Sequence, residues 1–220
     1  VIDENSHRQK RRRFLVSVSM WVSLLSGIAL IGYPFYDRAV QEREQASLLS
    51  EWQSISRTSE RTSERAQVVP AATAKASNPI NTIKKINGFD ILGTISIHKI
   101  GLEEVIINGV GDKELRLGIG SLTPERSPGQ IGNVALAGHR SWTYGKHFSR
   151  LGELTLGDQV DIQTDSGTFT YRVTDTFLVT PDQISVVDNT DQRAELTLIT
   201  CEPARNPTHR LIVKAQLVSQ

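Results

Sequence analysis

The stretch Glu195–Leu217, ELTLITCEPARNPTHRLIVKAQL, decides how the rest of the chain is read. It holds two short runs, Glu195–Cys201 and Arg210–Leu217, each rich in apolar and β-branched residues and each the length of a strand. The same style recurs upstream in Ile91–Ile97, Val105–Ile107, Asn133–Ala137, Gln159–Thr164 and Thr168–Val179. Turn signals stand between the runs at Asn108-Gly109, Ser127-Pro128-Gly129, Leu156-Gly157-Asp158 and Asp165-Ser166-Gly167. Only Asp112–Leu117 and His147–Leu154 read as brief helices. Many short strands at this spacing predict an all-β domain, a barrel or a sandwich. It occupies residues 89–220, about 130 residues, enough for a single core.

Before Phe89 the composition changes twice. Val68–Asn87 is made of Pro, Ala, Ser, Asn and Lys and reads as a linker. Residues 37–66 are rich in Arg, Glu, Gln and Ser, with Leu48, Leu49, Trp52 and Ile55 at helical spacing. That apolar stripe is too thin to bury much, so residues 37–88 are expected to form a solvated helical stalk and linker. The repeated RTSER, Arg57–Arg61 and Arg61–Arg65, is a local duplication. Earlier still, Phe14–Tyr36 (FLVSVSMWVSLLSGIALIGYPFY) carries no charge. As a helix it reaches roughly 34 Å, enough to cross a hydrocarbon core of about 30 Å. A cleaved signal peptide calls for a shorter apolar region and a small-residue cleavage site. Residues 14–36 are therefore expected to be a transmembrane signal-anchor in contact with the lipid bilayer. The basic cluster Arg8, Lys10, Arg11, Arg12 and Arg13 keeps the tail 1–13 in the cytoplasm and places the rest outside.

The charge is divided in the same way. Residues 1–88 hold 13 Lys+Arg against 8 Asp+Glu, whereas residues 89–220 hold 12 against 16. A mildly acidic domain of this kind lacks the basic face that a nucleic acid needs, and no nucleic-acid partner is expected.

Chemistry concentrates at three strand ends. Ala135-Leu136-Ala137-Gly138-His139-Arg140 ends an apolar run in Gly-His, Thr197-Leu198-Ile199-Thr200-Cys201 ends one in the lone cysteine, and Thr208-His209-Arg210 opens another. A lone cysteine forms no intramolecular disulfide. Cysteine acyl transfer needs a thiolate, a group to protonate the leaving amine and a positive pocket for the oxyanion, and the three ends supply each once. Alternate strand residues share a face, so Ala135, Ala137 and His139 lie together, as do Thr197, Ile199 and Cys201. Small and apolar neighbours of this kind suit a groove for an extended peptide. One cysteine and scattered histidines offer no metal-ligand spacing, and neither a metal nor a cofactor is expected.

The combination of AGHR, TLITC, a following THR and an N-terminal anchor resembles the sortases, bacterial surface transpeptidases. The resemblance covers residues 89–220 and implies a closed eight-stranded β-barrel with short helices, preceded by the transmembrane helix and stalk. It implies Cys201 as nucleophile, His139 as general acid/base and Arg210 as oxyanion or substrate-carbonyl ligand. Ala137, Thr197, Ile199 and Thr200 would line the groove for a Leu-Pro-x-Thr-Gly-like sorting signal of a secreted protein. The acceptor would be a cell-wall precursor or peptidoglycan amine. AGHRSWTYGKHF is closer to class C and D patterns than to class A. The lack of an Asp-Pro-aromatic lid and of a second apolar span points to an anchoring role. The alternatives are a pilin-polymerising sortase and a membrane-anchored cysteine protease that uses water; a binding module with a merely buried Cys201 belongs to another class. Among other residues, His147, Glu103, Glu104 and Asp182 are expected on solvated surface, and Glu202 in a loop facing water. His209 is expected away from the groove, and Trp142 and Tyr144 at its mouth or packing its turn.

Overall fold

The computed structural model describes residues 3–66, 83–140 and 146–220, with side chains from Leu15 to Ser56 and from Ile83 onward within those limits. Trp142 and Tyr144, and most of the expected linker, lie outside the described residues. The chain divides into two compact units, Val1–Arg43 and Glu44–Gln220. The first belongs to helix α1 (Asp3–Ala66), which is long and apolar enough from Leu15 onward to cross a membrane. Leu15, Met20, Trp21, Leu25, Ile28 and Ile31 point outward all round it, as suits a helix whose solvent is lipid.

The second unit holds β1 (Lys84–Ile86), β2 (Phe89–Ile97), β3 (Leu102–Asn108), α2 (Asp112–Leu117), β4 (Ile119–Ser121), β5 (Gly132–Ala137), β6 (Gln159–Thr164), β7 (Gly167–Val179), β8 (Ala194–Glu202) and β9 (His209–Ser219). The sheet runs β1-β2-β3-β4-β5-β8-β9-β7-β6, and β2 pairs with β6 to close it. Strands β2 to β9 therefore form the expected closed eight-stranded barrel, which leaves no free edge. Strand β1 is an addition that pairs only with Phe89–Ile91 at the start of β2. Pairing is parallel for β3–β4 and for β5–β8, and antiparallel elsewhere. The helix expected over His147–Leu154 is reduced to a single 3-10 turn, Leu151–Glu153.

Alternation fills the barrel. Val134 and Leu136 of β5, Leu196 and Leu198 of β8, and Leu211, Val213 and Ala215 of β9 point inward to meet Tyr171, Phe148 and Ile162. The run Ile91–Ile97 does not keep one parity. A bulge between Ile91 and Gly93 inserts a residue, so Leu92, Ile95 and Ile97 face the barrel while Ile91 faces out. Gly93 is needed there, because a Cβ would stand 2.3 Å from the carbonyl oxygen of Gln163.

The outward-facing Ile91 is not left in water. Together with Ile86, Val105, Ile107 and Leu117 it packs against Leu48 and Trp52, one helical turn apart on α1. Gln53 donates to Glu103 Oε1 at 3.1 Å, and the Lys84 ammonium lies 4.8 Å from the Trp52 ring centre while pairing with Asp165. The solvated stalk expected over residues 37–66 is thus corrected at Leu48, Trp52 and Ser56, which are buried. The linker reading is likewise corrected at Lys84–Ile86, a strand of the sheet. The apolar stripe is thin, but it meets a sheet face that is apolar in its own right.

Candidate active site

Ladder register brings the three strand ends together. In the antiparallel β8–β9 pair, Cys201 lies directly opposite Arg210, so their side chains leave the same face. In the parallel β5–β8 pair, Ala137 lies beside Ile199. The association continues past the end of β5: the Gly138 N–H donates to the Ile199 carbonyl at 3.1 Å, and the Thr200 hydroxyl donates to the Gly138 carbonyl at 2.8 Å. His139 and Cys201 each stand two residues beyond the last pair of that ladder, Ala137 and Ile199. Gly138 allows the close approach, since a Cβ would stand 2.8 Å from both Ile119 Cδ1 and Phe148 Cδ2.

Cys201 is half-buried and is the chain's only cysteine, so its thiol is neither sealed in the core nor tied in a disulfide. Partial burial lowers the pKa of His139 below its ordinary value, and the nearby His147 lowers it further, while Asp112 works against both. Arg210 is half-buried with Ile212 and Lys214 on its side of β9, and its Nη1 donates to the His209 carbonyl at 3.1 Å. His209 is exposed, its Nδ1 at 2.9 Å from the Thr208 hydroxyl. Glu202 ends strand β8, and its carboxylate is paired with Arg140 rather than left facing water. This pairing takes up the negative charge next to the thiol.

The four residues expected to line the groove separate into two pairs. Ala137 and Ile199 are half-exposed neighbours on the outer face. Thr197 is fully buried, and its hydroxyl donates to Asn133 Oδ1 at 2.6 Å. Thr200 shares the parity of Leu196 and Leu198 and spends its hydroxyl on Gly138. Contact with a groove substrate is therefore corrected for Thr197 and Thr200: one is sealed, and the other ties two strand ends together. The seal over Thr197 is the segment around the 3-10 turn Ile184–Val187. Asn133 Nδ2 donates to the Val186 carbonyl at 3.1 Å and to that of Asp188 at 3.0 Å. Lys214 reaches Val186 at 2.7 Å and Arg126 reaches Val187 at 2.7 Å.

Sequence reasoning missed a further pair. His147 is buried instead of on the surface, with its Nδ1 at 2.7 Å from Glu104 Oε2 and its backbone N–H donating to Oε1 at 2.6 Å. Glu104 is accordingly a structural partner and not a solvated carboxylate, whereas Asp182 is exposed. The two residues are 43 positions apart and belong to different elements, so no local pattern joins them. Among the described residues no group of three His, Cys, Asp or Glu side chains is arranged to hold a metal ion.

Comparison with known proteins identifies the family. Residues 95–218 match the Sortase domain family. The chain is 28% identical over 210 residues to Sortase A of Bacillus anthracis, covering 94% of this chain and 96% of that protein. It is 34% identical over 111 residues to Sortase D of Bacillus subtilis, covering 50% of this chain and 54% of the other. Among solved structures, a Sortase D5 transpeptidase of Clostridium perfringens superposes with a TM-score of 0.59 at 25% identity, over 82% of this chain and 99% of that one. Sortase A of Listeria monocytogenes superposes with a TM-score of 0.55 at 27% identity, over 59% and 88%.

Proposed function

Because the chain belongs to the sortase family of cysteine transpeptidases, its matched domain covering more than half its length, we propose that it anchors secreted proteins to the cell wall through a thioester on Cys201. The observation that carries the reading is the cross-strand pairing of Cys201 with Arg210 beside β5, the strand that His139 follows by two residues. The Cys201 thiolate attacks the Thr–Gly or Thr–Ala carbonyl of a Leu-Pro-x-Thr-Gly-like signal held extended over Ala137 and Ile199. The Arg210 guanidinium, charged at every working pH, stabilises the oxyanion of the tetrahedral intermediate. As that intermediate collapses, the His139 imidazolium gives its proton to the departing amine and the thioester remains. A cell-wall amine then attacks the thioester, neutral His139 takes the amine proton, and the thiolate leaves.

The protonation states limit the rate. A lowered pKa at His139 leaves little imidazolium near neutral pH. The acid form that must protonate the departing amine is then scarce, and slow turnover is the expected outcome. The long apolar helix fits a single-pass anchor. We place the basic tail in the cytoplasm and the barrel outside, where both substrates are found. The near full-length match to Sortase A of Bacillus anthracis supports a housekeeping anchoring role, with pilin assembly as the alternative.

A peptide library offered to the full-length enzyme in detergent, with and without oligoglycine, tests the reading. The expected result is cleavage after Thr, an acyl adduct on Cys201 by mass spectrometry, and faster turnover with amine. Cleavage indifferent to every amine would show a protease, and transfer confined to a pilin lysine side chain would show a pilin polymerase.

A further inference from the structure

His147 is held more firmly than a groove-side loop residue requires. Its backbone is left-handed, with φ of +47°, uncommon for a non-glycine residue. Glu104 braces it there, one carboxylate oxygen taking the His147 N–H and the other meeting Nδ1, with side-chain exposures of 8% for His147 and 11% for Glu104. The next residue, Phe148, donates its N–H to the His139 carbonyl at 3.1 Å. The two imidazole rings meet edge to face, 6.5 Å between centres at 66°. A carboxylate only accepts, so Nδ1 of His147 carries the hydrogen in this contact.

We infer that Glu104 and His147 form a positioning pair for His139, Glu104 fixing the His147 ring and His147 setting the orientation and proton affinity of the His139 imidazole. The inference rests on the proposed role of His139 as acid and base. The charged groups around the pair are few. Glu103 and Glu104 come from β3, Asp112 from the start of α2 and Lys146 from the neighbouring position; Glu103 is engaged by Gln53, and Arg140 by Glu202. Of these, His147 and Asp112 act on His139 with opposite signs. The His147 ring thus lowers the proton affinity of His139, and Asp112 opposes it.

The test is the titration of His139 by NMR in the full-length chain in detergent micelles, where five histidines must be resolved. His147→Asn is the informative variant, because Asn tolerates the left-handed backbone and still donates to Glu104 but carries no charge. Loss of the His147 ring removes the lowering it exerts, so the His139 midpoint should rise. The limb of the kcat/KM profile that follows His139 should move with it. Glu104→Gln keeps an acceptor for Nδ1 and leaves the His147 ring in place, so the midpoint should move less than in His147→Asn. A midpoint that stays in place in both folded variants overturns the pair, whatever happens to their stability. The titration needs no turnover: an inactive enzyme with a shifted midpoint would sink the proposed reaction alone, and an active one with an unmoved midpoint the positioning pair alone.

Discussion

Two outer faces of one barrel have opposite fates. The face of β1, β2 and β3 presents Ile86, Ile91, Val105 and Ile107, and helix α1 covers it with Leu48 and Trp52. The face of β5, β8 and β9 presents Ala137, Ile199, Cys201 and Arg210, all but Ala137 and Ile199 capable of chemistry, and these stay at least partly open. An apolar outer face is costly in water and acquires a cover; a face of small side chains with a thiol and a guanidinium can remain uncovered and bind a peptide. Stability and reactivity are thus separated on one sheet, and substitutions on the two faces should behave in opposite ways.

Cys201→Ala is the most extreme case. It should abolish peptide cleavage and acyl-enzyme formation while leaving the circular dichroism and melting temperature close to wild type, since only a half-buried sulfur is lost. An Ala variant that still transfers peptide would remove the central assignment. Trp52→Ala should do the reverse. Losing a fully buried indole from the covered face costs about 3–5 kcal/mol, read as a lowered melting temperature, while the folded fraction keeps its turnover. A chain begun at Glu44 keeps the covering segment of α1 and should melt clearly above one begun at Phe89. Equal melting of those two chains would mean that the helix is only a stalk.

Arg210→Ala comes next in size, since losing one oxyanion donor slows such reactions by about 10²–10³. His139→Ala should be nearly inactive, whereas His209→Ala, an exposed neighbour on the other side of β9, should stay within a few-fold of wild type. Steady-state cleavage by the three variants checks this. An inactive His209→Ala with an active Arg210→Ala would exchange their roles and break the contrast between the faces.

The open face was legible because β8 and β9 pair without a bulge from Glu195 to Cys201, so period-two counting carries through to the catalytic end. Counting failed in β2, where the extra residue before Gly93 reverses the parity. The covered face did leave a sign: Val105-Ile106-Ile107 is apolar on both sides of its strand, which implies a cover on each. What the sequence did not show was which segment supplies it, because Leu48 and Trp52 meet that strand only through the fold. Glu104 and His147 were hidden for the same reason.

Thr200 gives the smallest and most discriminating prediction, because the groove reading assigned it to the wrong side of β8. The side chain follows Leu196 and Leu198 inward, and its hydroxyl bonds Gly138, so it joins the residue before Cys201 to the residue before His139. Thr200→Val keeps the shape and removes the donor, leaving a buried carbonyl without this partner. Stability should fall by about 1 kcal/mol. A groove residue would show itself in KM, since substrate contact would be lost. A tie between strand ends should show itself in kcat instead, falling a few-fold as His139 and Cys201 lose their fixed separation, with KM unchanged. A rise in KM at constant kcat would return Thr200 to the groove and place part of the open face inside the barrel wall.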